Sequence, residues 1–261
     1  MSFPNKETIL VIDGDILLYS IGFGSETIQE EWIVESRIEH FFSKLFEKFN
    51  TFNYKVYLTG DNNFRKDTAV THKYKGNRKA EKPRWYGHIR DYLIHMYNTE
   101  VCEDIEADDG MAMHITRNPN SILCSIDKDL WMVEGWHYSW PMHNRGELPL
   151  RWITNEGFLE LQQLAKKKKL IGGGLPWFYA QLLMGDKTDN IVGPKGYGDV
   201  KTWNTLKDAE TESELYACVK EVYEASFEQP EQRLRENADL LWMIKELNED
   251  GSYKMWEIPN D

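Results

Sequence analysis

The chain has 261 residues, 41% of them hydrophobic and 13% aromatic, enough to bury a full core in one large domain or two lobes. No apolar stretch approaches the roughly 18 residues of a membrane span, and the first residues lack the layout of a secretory signal, so a cytoplasmic protein away from membranes is expected. The formal net charge of −12, taken alone, argues against a polyanionic partner.

Ile9-Leu-Val-Ile12 is short, β-branched and ends at Asp13-Gly14-Asp15, which predicts a buried strand opening into a loop. A helix follows, with Ile38, Phe41, Phe42, Leu45, Phe46 and Phe49 at the spacing of one apolar face. A second strand, Lys55 to Thr59, runs into Gly60-Asp61, and strand, helix, strand in this order predicts a right-handed crossover in a parallel sheet. Next comes a basic stretch. From Arg65 to Arg90 nine Lys or Arg stand against two acids, a local net of +7 that leaves −19 for the remainder. Glu106-Ala-Asp-Asp109 precedes Met111, Ala112 and Ile115 and predicts the first turn of a helix, its carboxylates at the positive end of the dipole. A third strand, Ser121 to Ser125, runs into Asp127-Lys128-Asp129. A loop-like boundary is predicted at Lys166 to Pro176, where four lysines precede Ile171-Gly-Gly-Gly174. A helix over Leu175 to Met184 then leads to Gly185-Asp186-Lys-Thr-Asp189-Asn190, a glycine-rich stretch, and a helix starting near Val200. From Trp203 onward 15 acids stand against 6 bases, which predicts an acidic, solvated face. Cys102, Cys124 and Cys218 have neither metal-type spacing nor the number for a disulfide framework and are expected as buried thiols.

In open parallel sheets sites form beyond the C-terminal strand ends, and all three predicted strands deliver an aspartate there. The candidate cluster is Asp13, Asp61, Glu106, Asp108, Asp109, Asp127, Asp129, Asp186 and Asp189. Carboxylates at that density raise one another's pKa and cannot all stay ionised without compensation. Mg²⁺, which takes oxygen ligands and keeps several waters, is the natural compensation.

Six segments carry a resemblance through nearly the whole chain: Asp13-Gly14, Gly60-Asp61, Tyr74-Lys-Gly-Asn-Arg78, Glu106-Ala-Asp-Asp109, Ser125-Ile-Asp-Lys-Asp129 and Gly185-Asp-Lys-Thr-Asp-Asn190. Their order resembles the 5′-nuclease, or flap endonuclease, superfamily. The likeness is greatest to the compact 5′→3′ exonucleases of tailed phages, also through Tyr74 to Pro83 and Arg235 to Trp256. The resemblance implies an α/β fold with a parallel-sheet, PIN-like nuclease core at 1–160 that bears a basic helical arch at about 62–98. A helical C-terminal lobe at 161–261 would hold a helix-hairpin-helix element at about 176–206.

It further implies that Asp13, Asp61, Glu106, Asp108, Asp127 and Asp129 form a first metal group and that Asp186 and Asp189 support a second, with Asp109 a ligand or a supporting residue. Asp15 reads equally as a ligand or as a turn acid bonded to local backbone. Two or more Mg²⁺ ions, with Mn²⁺ able to substitute, would support a two-metal hydrolysis leaving 5′-phosphate and 3′-hydroxyl ends. Lys75 and Arg78 match the arch motif and would act on the scissile phosphate as catalytic cations, flanked by Arg65, Lys73 and Lys79 as DNA contacts. Trp85 and Tyr86 would either stack on an exposed base or pack beneath the arch. In the hairpin, Gly193, Gly196 and Gly198 allow close backbone approach and Lys201 contacts phosphate, with a monovalent cation as a further ligand. Here the sequence departs from the family, whose lysine stands one residue earlier. The lysines at 166–169 either extend the duplex footprint or are simply solvated.

The implied substrates are duplex or branched DNA with 5′ ends and RNA–DNA hybrids, cut by a monomer serving phage DNA replication or recombination. A PIN-type metal-dependent ribonuclease shares the sheet and acids but lacks both the hairpin and the Asp186/Asp189 pair. A non-catalytic DNA-binding module is disfavoured, because every acid position in the motifs is still acidic.

Overall fold

The computed structural model describes residues 3–78, 81–142 and 145–259. Along the chain run β1 (Ile9–Asp13), α1 (Gly14–Gly24), α2 (Glu31–Phe49), β2 (Tyr54–Thr59), α3 (Arg65–Thr68), α4 (Tyr86–Met96), β3 (Thr99–Cys102), α5 (Ala107–Arg117) and β4 (Ser121–Cys124). They are followed by β5 (Gly135–Ser139), β6 (Leu148–Ile153), β7 (Phe158–Gln163), β8 (Lys168–Gly173), α6 (Gly174–Met184), α7 (Asp199–Leu206), α8 (Glu212–Ser226) and α9 (Pro230–Leu241). These elements fall into two compact units, the first of residues 1–62, 80–127 and 135–152, the second of 63–79, 128–134 and 153–261.

The first unit is built on a six-stranded sheet in the order β3-β2-β1-β4-β5-β6. β1, apolar from Ile9 to Ile12 and ending on Asp13, lies parallel between β2 and β4, and β3 and β5 extend the parallel pairing on either side. The chain therefore lays strands outward from β1 in one direction, then returns to its other side with β4, so the order reverses between β1 and β4. That reversal is where an open α/β sheet leaves a crevice at its strand ends. The expected helical face of α2 is present, with Val34, Ile38, Phe42, Leu45 and Phe49 buried, while Phe41 and Phe46 lie half-buried at its margin. Gly14 lets α1 begin against β2, since a Cβ there would stand 2.6 Å from the Tyr57 carbonyl oxygen. Trp85 is buried in this core, its indole N–H donating to the carbonyls of Ser25 and Ile28 at 3.1 and 3.3 Å, and Tyr86 meets Tyr19 edge-on. Of the two readings of this aromatic pair, packing is the one observed.

The second unit gathers around α6, whose Trp177, Phe178, Tyr179, Leu182 and Leu183 are all buried, the pattern of a helix enclosed on every side. Trp242 and Trp256 close over Phe178 at ring distances of 5.0 and 5.9 Å. Two sequence expectations are corrected here. The boundary expected as a loop at Lys166 to Pro176 contains β8, antiparallel to β7 with Gln162 opposite Lys169 and Glu160 opposite Ile171. The lysines stay exposed while Leu170 is buried, and the glycines serve contact rather than chain breaking, because a Cβ on Gly172 would stand 2.7 Å from Trp177. Nor do the described residues of the basic stretch form one continuous helix. After the single turn of α3 its described residues form turns, with Lys75 in the left-handed region at φ 54°, until α4 begins at Tyr86 in the first unit. Among the cysteines Cys102 and Cys124 are buried as expected, whereas Cys218 is half-buried.

Candidate metal centre and nucleic-acid interface

In the first unit the acids stand at strand ends and helix starts. Asp13 closes β1 and caps α1, one carboxylate oxygen accepting the Ile16 N–H at 3.0 Å. Its other oxygen accepts the Ser125 hydroxyl at 2.6 Å, and the Ser125 oxygen accepts the Asp127 N–H at 3.0 Å. This short relay spans the β1/β4 reversal. Arg145 secures the same loop by donating to the Ile126 carbonyl at 2.9 Å. Asp61 lies exposed just past β2, where the Gly60 N–H donates to the Cys102 carbonyl at 2.8 Å. The Thr59 hydroxyl accepts the Ala107 N–H at 2.9 Å and so ties the end of β2 to the start of α5. Glu106 is the N-cap residue of α5, and its N–H donates to the fully buried Asp109 carboxylate at 3.1 Å; Asp108 follows in the first turn, half-buried. Asp15, in the first turn of α1, accepts the Thr59 N–H at 3.3 Å, a bond across to the end of β2 rather than to its own turn.

The electrostatics of this group are strained. Burial, then the neighbouring Asp15, and more weakly Asp127, push the Asp13 carboxyl up to about 7, against the lowering effect of Ser125 and the Ile16 N–H. Nearby, burial and the charges of Glu100, Asp109, Asp15 and Asp108 push the Cys102 thiol up to about 12. Acids from α1 and α5 thus project their fields onto one region.

In the second unit Asp129 opens a short 3₁₀ turn, and its carboxylate accepts the Gln181 amide at 2.6 Å and pairs with Lys128. Asp186 and Ile191 exchange backbone bonds at 2.9 and 2.7 Å, closing a tight loop. One Asp186 oxygen accepts the N–H groups of Thr188 and Asp189 at 2.6 and 3.2 Å. Gly185 enters this loop at φ 68°, a conformation that glycine adopts without penalty.

The basic segment lies along the same loop. Asp189 accepts the Tyr74 hydroxyl at 2.8 Å and the Arg78 Nη2 at 2.6 Å, with the Lys75 ammonium at 3.8 Å, while its carbonyl accepts the Lys75 N–H at 2.9 Å. Asn77 donates to the Lys187 carbonyl at 2.5 Å, and Asn190 donates to that of Lys73 at 3.0 Å. Both expected catalytic cations are therefore organised by an expected metal ligand. Arg65 corrects the expectation of a DNA contact: it is 3% exposed, and its guanidinium donates to the carbonyls of Leu240 and Trp242 at 2.9 and 2.7 Å. A phosphate cannot reach it there. Lys73 is exposed, and Lys79 lies outside the described residues.

At the hairpin, Gly193 packs so closely that a Cβ would stand 2.5 Å from the Leu183 carbonyl oxygen, Gly196 takes φ 84°, and Gly198 is the N-cap of α7. Lys201 is exposed with its ammonium 3.8 Å over the Tyr197 ring. Asp199 already occupies the first turn of α7 and accepts the Leu170 N–H at 2.8 Å.

Among the described residues no group of three or more His, Cys, Asp or Glu side chains is drawn together as a ligand set. The acids are instead held by the chain's own donors, several of which sequence spacing did not reveal. Ser125 lies inside a quoted motif and could have been suspected as the partner of Asp13; Gln181, on a hydrophobic helix, carries no such signal.

No protein-family model matches the chain, and no curated protein matches it significantly. Solved structures do. A bacteriophage T5 5′-exonuclease with bound zinc superposes with a TM-score of 0.60 at 17% identity, over 89% of this chain and 89% of that one. A flap endonuclease of the same phage, in complex with DNA and metal ions, gives 0.57 at 16% identity over 89% of each chain. The catalytic core of Rad2 in complex with DNA substrate gives 0.50 at 13% identity, over 84% of this chain and 65% of that one. At these identities the likeness is one of fold, and the fold expected from the six motifs is the fold found.

Proposed function

We propose that this chain is a divalent-metal-dependent 5′-nuclease that hydrolyses phosphodiester bonds near the 5′ ends of duplex or branched DNA, and of RNA annealed to DNA. The observation that carries this reading is the relay Asp127–Ser125–Asp13 at the β1/β4 reversal, whose buried carboxyl is held against the repulsion of its acidic neighbours. A buried carboxyl that resists ionisation beside other acids is suited to a divalent cation, and an all-oxygen donor set favours Mg²⁺ or Mn²⁺. When bound, two such ions supply an acidified water and neutralise charge on the leaving 3′ oxygen, which leaves 5′-phosphate and 3′-hydroxyl ends.

The chain's own residues do the rest. Ser125 fixes the direction of the Asp13 carboxylate, and Asp61, Glu106, Asp108 and Asp127 would supply the further oxygens once a cation draws them in. Asp109 supports Glu106 from within its turn. Asp129 completes this first group, and Asp186 and Asp189 support the second. Lys75 and Arg78, oriented by Asp189, act on the charge that develops on the phosphoryl oxygens. The loop from Gly193 to Lys201 holds the duplex backbone without reading bases, with a monovalent cation as its further ligand. The same resemblance supports a role in phage DNA replication or recombination, as a monomer in the cytoplasm.

The test is incubation with 5′- or 3′-labelled duplex, flap and RNA–DNA hybrid substrates in Mg²⁺, in Mn²⁺ and in excess chelator. We expect cleavage only with metal and only from 5′ ends or at flap junctions. A ladder of short products separates exonuclease action from a single cut at the junction. Full activity in chelator, or degradation from 3′ ends, overturns the reading.

A further inference from the structure

α9 belongs to none of the metal or phosphate groups, yet it carries a buried polar network that reaches two of them. Glu236 is 7% exposed and Arg233 8%, and they pair at 3.4 Å. One Glu236 oxygen accepts the Thr71 N–H at 2.7 Å, and the other accepts the Thr71 hydroxyl. Arg233 Nη2 donates to the Val192 carbonyl at 3.1 Å, and so does the Asn237 amide at 3.1 Å, which also donates to the Tyr223 hydroxyl at 2.8 Å. Thr71 stands four residues before Lys75, in a stretch without regular secondary structure, and Val192 stands three residues after Asp189.

A buried carboxylate and a buried guanidinium each need a partner, and here each finds one in the other and a second in a loop. Thr71 is itself exposed, and its backbone N–H, for which no helix or sheet provides an acceptor, finds one in that buried carboxylate. Breaking this arrangement leaves buried groups unsatisfied, so the two loops are held in one register rather than merely in contact.

We propose that Glu236 is a positioning residue: through Thr71 on one side and Arg233 with Val192 on the other, it sets the segment bearing Lys75 and Arg78 against the loop bearing Asp189. The role it serves rests on the nuclease reading, but the brace itself does not. Glu236→Ala removes both halves of the link. Glu236→Gln keeps an acceptor for the Thr71 N–H. Thr71→Val removes only the hydroxyl bond and reports on the link should Glu236→Ala fail to fold.

Two measurements on the full chain decide the matter. Amide hydrogen exchange without metal or DNA should rise at least tenfold over 69–78 in Glu236→Ala, rise less in Thr71→Val, and stay near wild type in Glu236→Gln. Single-turnover cleavage at saturating enzyme should fall tenfold or more in Glu236→Ala, with the dissociation constant in Ca²⁺ within threefold of wild type and with rescue in Glu236→Gln. Unchanged exchange over 69–78 in both Glu236→Ala and Thr71→Val overturns the proposal, as does loosening of that segment with cleavage unaffected. A wild-type protein that cleaves no DNA overturns the nuclease reading alone, and the exchange result still decides whether the brace exists.

Discussion

Asp13 must cap a helix, accept a serine hydroxyl and remain buried beside other acids, and its raised pKa measures the conflict. Because the folded value of about 7 lies above the ordinary 3.8, the folded state binds the proton more tightly than the unfolded one. This carboxyl therefore costs no stability below about pH 4, and the cost grows as pH rises through the folded value and is complete above it. Three units bound the effect at roughly 4 kcal/mol, since one unit is about 1.4 kcal/mol. In metal-free protein, Asp13→Asn is expected to raise stability at pH 8 and to flatten its decline between pH 4 and 8, as urea unfolding would measure. Parallel pH profiles for the two proteins would count against this. Added Mg²⁺ should stabilise wild type at pH 8 and act much less on the variant. Lys75 calls for a kinetic measurement. A fixed cation at the phosphoryl oxygens acts mainly on the barrier, so Lys75→Ala should slow single-turnover cleavage by about 10² to 10³. The dissociation constant in Ca²⁺ should rise only a few-fold, because other contacts still hold the duplex. A hundredfold weaker complex that cleaves normally once saturated would make Lys75 an anchor instead.

The C-terminal end of α9 gives Arg65 its task, since the last carbonyls of a helix lack intrahelical donors and the buried guanidinium supplies them. Arg65→Met should destabilise the fold by about 2 to 4 kcal/mol, the range for unsatisfying buried polar groups. It should leave the salt dependence of DNA binding unchanged, whereas loss of a true phosphate contact lowers that slope by about one. Urea unfolding and a salt titration of the same variant check both halves. Elements of this kind mark the limit of what sequence conveys. β1, β2, β4, α2 and the start of α5 were readable because each follows from a local pattern: a β-branched run, an apolar face, acids ahead of a helix. β8 was not, because its lysines and glycines acquire meaning only from β7 and Trp177. The broken course of the basic segment also escaped, since the bonds that shape it come from Asp189 and Glu236, more than a hundred residues away. The acids were proposed from motif order, and their donors Ser125 and Tyr74 stand in the same motifs, but Gln181, on a hydrophobic helix, has nothing to announce it.

For the whole molecule, the uneven charge outweighs the net of −12, because a polyanion responds to the patch it meets rather than to the sum. Duplex binding is expected to weaken steeply with salt and to vary less than about tenfold among unrelated sequences of one geometry, because the proposed contacts are cations and backbone N–H groups aimed at phosphates. Filter binding across salt and sequence would show it, and stronger discrimination would require base-edge contacts. The interleaving of the two units bears on how the chain is made. Synthesis proceeds from the N-terminus, and the chain changes unit after residues 62, 79, 127, 134 and 152. Thr71 and Arg65 bond to groups 165 and 175 residues further on. At about 5 to 20 residues per second, the basic segment leaves the ribosome roughly ten to thirty seconds before its anchors exist. During that interval the segment lacks both the carboxylate and the carbonyls of α9 that hold it in the folded chain.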